Sequence, residues 1–153
     1  MFKNTQMNSY QIILHLHSGI RWIAFLLVVV SVIKSLIGLY GEGKFTKFDN
    51  ILGASFVGTM HLQFLLGITL YVFLSPATQS AFQDFGAAMK DISIRFWAVE
   101  HITAMIVAVV MAQLGRSRSK KAATDAGKFK VQSIFYGISF LFMMLGIPWF
   151  RLM

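Results

Sequence analysis

The chain contains no cysteine, which rules out disulfides, thiolate metal sites, iron–sulfur clusters and covalent haem attachment through C-x-x-C-H. Any cofactor must therefore be held by other ligands. Charge is scarce as well: 13% of the 153 residues are Asp, Glu, Lys or Arg, against roughly a quarter in an ordinary soluble domain. Acid is scarcest of all, with six Asp and Glu against fourteen Lys and Arg. There is no phosphate loop, no nucleophile-and-base arrangement and no zinc-protease motif, so hydrolytic chemistry has no support. Nothing here resembles a cleavable signal peptide: the start, "MFKNTQMNSY", is polar, and no small-residue cleavage site follows a short apolar region. The first apolar stretch is expected to be retained.

What is abundant is apolar surface. The composition is 56% hydrophobic and the mean hydropathy is +0.65. Four apolar stretches, about 10–39, 51–74, 94–114 and 130–150, are each near the ~20 residues a helix needs to cross ~30 Å of hydrocarbon. They use most of the chain, so the expected fold is a single all-α domain: an integral membrane four-helix bundle, up-down-up-down because the connections are short. The first stretch overshoots the bilayer and is expected to tilt, with Lys34 snorkelling from its far end.

The net charge of +8 is localised. The stretch "GRSRSKKAATDAGKFK" carries Arg116, Arg118, Lys120, Lys121, Lys128 and Lys130 against Asp125 alone. Short basic loops stay in the cytoplasm, which places loops 40–50 and 115–130 there and sends both termini and the 75–93 loop outside, in a bacterial inner membrane. The run reads as a topology signal with attraction to anionic lipid; nucleic acid is not the expected partner.

Local signals divide the chain further. Asn8 or Ser9 can cap the first helix, and Asp49 and Asn50 the second; "LSPA" stops the second, since Pro76 lacks an amide proton and restricts the residue before it. Within 79–92, Phe82, Phe85, Met89 and Ile92 recur at helical spacing opposite Gln83, Asp84, Lys90 and Asp91, an amphipathic segment that either lies on the outer leaflet or caps the bundle's mouth. Small residues at Ala54 and Gly58, and at Ala104, Ala108 and Ala112, mark faces where helices can approach closely. Each of those faces also carries a histidine, His61 or His101.

All four histidines, His15, His17, His61 and His101, fall inside or at the edge of a span. An ionisable group there is by default a functional-site candidate, because lipid offers it no partner. His17 lies about seven residues beyond Tyr10 and His101 about seven beyond Ile94, so at about 1.5 Å per residue both sit about 10 Å along their helices. The first and third helices of such a bundle are diagonal, and two level imidazoles can address one flat group from opposite sides. That geometry suits a b-type haem held by histidine nitrogens. His61 lies roughly 9 Å deeper by the same helix rise; with Gln63 it is a candidate quinone or proton contact, or a replacement ligand. His15 points away from His17 by about 160° at 100° per residue and can face the interface.

Arg21 follows His17 by four residues and shares its face. A buried guanidinium needs an anion, and Glu100 or a haem propionate would supply one. Arg95, at the outer end of the third span, is the better-placed propionate partner, or simply positions that helix. Trp22 and Trp97 can pack on a ring system, although Trp97 and Trp149 also suit interfacial anchors. Met60 beside His61 and Met105 one turn after His101 raise copper, since thioether and imidazole suit Cu(I), but methionine is also a common apolar filler.

The motifs "HLHSGIRW", "MHLQFLLG", "RFWAVEHI" and "GRSRSKK", in that order, resemble the small four-helix bacterial membrane proteins that carry a cytochrome b-like label. The resemblance covers nearly the whole chain and implies haem at His17, His61 or His101. The fourth span has no histidine, a departure from the symmetric two-haem plan of the better-known membrane cytochromes b. The leading expectation is a haem b protein relaying electrons, to or from quinone, with His17 and His101 as axial ligands; a quinone oxidoreductase subunit would fit that description. The alternative is a cofactor-free accessory subunit of a larger membrane complex or homo-oligomer, in which the polar residues fix helix register. A small transporter or metal-handling protein is the third.

Overall fold

The computed structural model describes residues 8–149; the chain termini, and residue 150 of the fourth expected span, lie outside the described residues. Among the described residues every regular element is helical. Helix α1 (Ser9–Tyr40) is followed by α2 (Lys47–Thr69), which continues into a π turn (Leu70–Leu74). Three short helices, α3 (Pro76–Gln83), α4 (Phe85–Ala88) and α5 (Ile92–Arg95), lead through a second π turn (Phe96–Glu100) into α6 (His101–Lys121), and α7 (Asp125–Gly146) closes the fold. Four helical runs, Ser9–Tyr40, Lys47–Leu74, Ile92–Lys121 and Asp125–Gly146, are long and apolar enough to cross a membrane.

Boundaries follow capping chemistry more than hydropathy. Asn8 caps α1 as expected, its side chain accepting from the Gln11 amide while Gln11 reaches back to the Asn8 amide. Helix α2 starts earlier than its apolar stretch: Thr46 is the cap, and Asp49 completes the box from the third position, instead of capping with Asn50. The segment expected as a loop over 115–130 is mostly helix, with only 122–124 between α6 and α7. Lys and Arg are good helix formers and favour a helix C-terminus, so α6 runs on past its apolar part. Pro148 ends α7, because the residue before a proline avoids the α region, and Ile147 has ψ 128°. The amphipathic segment is broken into three by Asp84 and Asp91, whose carboxylates accept backbone amides at the starts of α4 and α5.

The four long helices contact in a ring, α1 to α2, α2 to α6, α6 to α7 and α7 to α1, which leaves α1 and α6 diagonal. Their core contains Ala24, Val28, Phe56, Met60, Ala108, Tyr136 and Met143. On α6, Ala104, Ala108 and Ala112 are buried, and Ser139 of α7 donates to the Ala108 carbonyl at 2.8 Å. The corresponding expectation for α2 is corrected. Ala54 and Gly58 are exposed, and Leu52, Gly53, Phe56, Val57 and Met60 face inward. Gly53 is the residue that permits close approach, since a Cβ there would lie 2.8 Å from the Tyr136 hydroxyl. Lys34 does not snorkel alone; it pairs with the buried Asp49 at 3.3 Å. Apolar side chains cover the outward faces, among them Leu26, Leu65, Val110 and Leu141.

Candidate functional site

The end of the bundle that carries α3–α5, here the capped end, contains the site. His17 on α1 and His101 on α6 meet across the diagonal with ring centres 6.3 Å apart and planes inclined at 74°. The level pair expected from helix rise is therefore brought together. Each ring is seated by a glycine on a flanking helix. Gly67 of α2 faces His17, where a Cβ would come within 3.3 Å of Cε1. Gly146 of α7 sits so close to α6 that a Cβ would collide with Met105 Cε, and this approach delivers its carbonyl to His101 Nδ1 at 2.7 Å. A carbonyl only accepts, so Nδ1 carries the proton and Nε2 keeps a free lone pair. Phe96 and Trp97 pack on the same imidazole, with ring centres at 6.0 and 5.3 Å.

Two cavities adjoin the pair. One, of about 480 Å³, runs along α1 from Tyr10 to Arg21 and is closed by Ser75–Thr78, Trp97 and Pro148. The other, of about 60 Å³, lies on the core side among Met60, Gln63, Phe64, Met105 and Met143. His17, Arg21, Gly67, Tyr71 and His101 line both, so these residues form the partition. A shallow depression over Asp84, Gly86, Lys90 and Asp91 is wide open and contains no histidine.

Arg21 departs from its expected pairing. Glu100 is taken by Arg95, Nε to Oε1 at 2.8 Å, and both are half exposed. In a regular α-helix residues five apart point about 140° apart; the i→i+5 bonding of the π turn brings these two to one side. Arg95 lines neither cavity, whereas Arg21 lines both. The Arg21 guanidinium stacks over Trp22 at 5.0 Å, its Nε is buried without a hydrogen-bond partner, and no carboxylate among the described residues pairs with it.

His61 is not brought to the site. It is exposed and lines neither cavity, because it shares the outward face of α2 with Ala54 and Gly58. His15 is exposed at the rim of the larger cavity. No cluster of three or more His, Cys, Asp or Glu exists among the described residues. Sequence reasoning missed Gly67, the Gly146 carbonyl and Tyr71. Tyr71 donates to the Ala98 carbonyl at 2.8 Å, tying one π turn to the other, and Thr78 donates to the Tyr71 carbonyl at 2.7 Å, holding α3 over the cavity. Residues 75–78 thus line the mouth of the larger cavity, while Phe82, Phe85 and Ile92 are exposed. The two π turns are a second signal that periodicity does not reveal, since such bulges concentrate at functional sites.

The residues present fit a noncovalent haem. With metal–nitrogen bonds of about 2.0–2.1 Å, two imidazoles sharing one metal from opposite sides have ring centres about 6 Å apart, close to the 6.3 Å found. A hydrogen-bonded Nδ1–H, as on His101, is the usual support of a ligating histidine. The larger cavity falls within the about 300–1,000 Å³ of cofactor sites, and Arg21 supplies a cation that pairs with no carboxylate among the described residues. Compared with protein-family models, curated proteins and solved structures, the chain has no match.

Proposed function

We propose that the protein is a multi-pass membrane protein of a bacterial inner membrane, an up-down-up-down bundle with the capped end outside and the basic end in the cytoplasm. It binds a b-type haem through His17 and His101 and relays electrons, to or from a quinone or a larger complex. The haem supplies a one-electron couple. His17 and His101 hold and orient the group, Gly146 fixes the His101 tautomer, and Arg21 offsets propionate charge. Trp97 and α3 limit water at the mouth. The observation that carries this reading is the juxtaposition of two imidazoles on diagonal helices at 6.3 Å, beside a cavity of about 480 Å³. The exposed apolar faces support the membrane setting, since contiguous apolar surface marks contact with lipid or protein.

The test is a reduced-minus-oxidised spectrum of the protein purified in mild detergent after haem-replete expression. A cytochrome b α-band is expected, and its absence ends the reading. The accessory-subunit alternative is weakened by Glu100, which pairs with Arg95 and leaves the internal network without its ion pair. A second reading has one specific support. Met60, Met105 and Met143, from three helices, line the small pocket with both histidines, a set suited to Cu(I). Metal analysis of the same preparation separates it from haem.

A further inference from the structure

Three buried polar atoms at the capped end have no hydrogen-bond partner among the described residues: His17 Nδ1, Arg21 Nε and Gln63 Oε1. All three belong to residues lining the 60 Å³ pocket. Leaving a buried donor or acceptor unsatisfied costs about 1–3 kcal/mol each, and this trio has complementary character. The guanidinium Nε–H can only donate and Gln63 Oε1 can only accept. A buried water needs about 10–15 Å³ of such volume and two to four polar partners, and the pocket supplies both. Apart from Tyr71 and His101 the rest of its wall is apolar, including Phe64, Ile102 and Val109, so the polar groups that can hold water are confined to the side of the pocket facing the histidine pair.

We propose that this pocket is a resident water site, and that Gln63, through that water, is the residue that orients the His17 imidazole. The inference rests on the haem reading and deepens it. A ligating histidine uses its second ring N–H to fix orientation and basicity. His101 uses the Gly146 carbonyl directly; His17 uses water and Gln63 Oε1. Both histidines lie against backbone, His101 at Gly146 and His17 at Gln63, and His17 alone would add a replaceable side chain. Gln63 is the position through which the site's potential is adjusted, and it acts as a positioning residue without touching the haem.

Gln63→Leu removes the acceptor and Gln63→Glu strengthens it. A stronger acceptor makes His17 a stronger donor to ferric iron. With the α-band retained, the midpoint potential is expected to rise in Q63L and fall in Q63E, with the low-spin EPR g-values moving in opposite directions. A merely structural role shifts both variants the same way, and that result, or no shift in either, overturns the proposal. A second measurement covers variants that fail to fold and a wild type without haem. In haem-free protein with ¹⁵N-labelled histidine, a water cross-peak at His17 Nδ1–H is expected; its absence in the wild type overturns the water site whatever the spectrum shows. Stoichiometric copper in the purified protein puts a metal in the pocket and also overturns it.

Discussion

The two ends of the bundle both bury polar atoms without partners, yet in different surroundings. At the basic end, among the described residues, Ser31 Oγ, Gln132 Nε2 and Tyr136 Oη are the orphans besides Asp49 Oδ1, which has the Lys34 ion pair. They sit in close packing: Tyr136 is 0% exposed, lies edge-on to Phe56 at 5.1 Å, and abuts Gly53 and Gly115. Ser35 links α1 to α7 there through Gln132 Oε1 at 3.3 Å. At the capped end the orphans adjoin cavities, and the two π turns are tied to each other by Tyr71. A buried polar atom in tight packing specifies which helices meet; one beside a void asks for a ligand. The molecule packs one end closely and keeps cavities at the other.

Three substitutions break or sharpen that division. His101→Ala has the largest expected effect, complete loss of the haem spectrum with helical circular dichroism retained; colour that survives would place the ligand elsewhere. Phe56→Ala, in the packed end, is expected to destabilise by about 3–5 kcal/mol, the usual cost of emptying a buried phenylalanine site. Unfolding in detergent titrated with denaturant reads this, while the α-band position of the folded protein stays put. A spectral shift would mean the ends are coupled. His61→Ala is the smallest, within about 0.5 kcal/mol as for exposed sites in general and without change in haem content; loss of haem would show that α2 turns its other face inward when loaded.

Much of the bundle is legible in the sequence. Hydropathy and length identify the four runs, and counting helix rise from Tyr10 and Ile94 brings His17 and His101 level, because residue number sets depth along a helix and the one π turn in the count, Phe96–Glu100, alters it by only about one residue's rise. Facing is harder to read. Both faces of α2 carry small and apolar residues, so periodicity does not distinguish Ala54 and Gly58 from Gly53. Partner choice fails for a different reason. Glu100 and Arg95 are five apart, a spacing that regular geometry separates, and only the π turn reunites them. Helix ends go astray wherever hydropathy stands in for hydrogen bonding: Thr46, not the first apolar residue, starts α2.

The π turn over Phe96–Glu100 immediately precedes His101. Such a turn is an ordinary helix with one surplus residue, and it decouples the segment on its N-terminal side from the helix on its C-terminal side. Everything upstream, the cap included, can be re-aimed by deletion of a single codon within the turn. His101 would keep its grip on α7. The mouth of the cavity is therefore evolvable in unit steps without disturbing the bond at its floor.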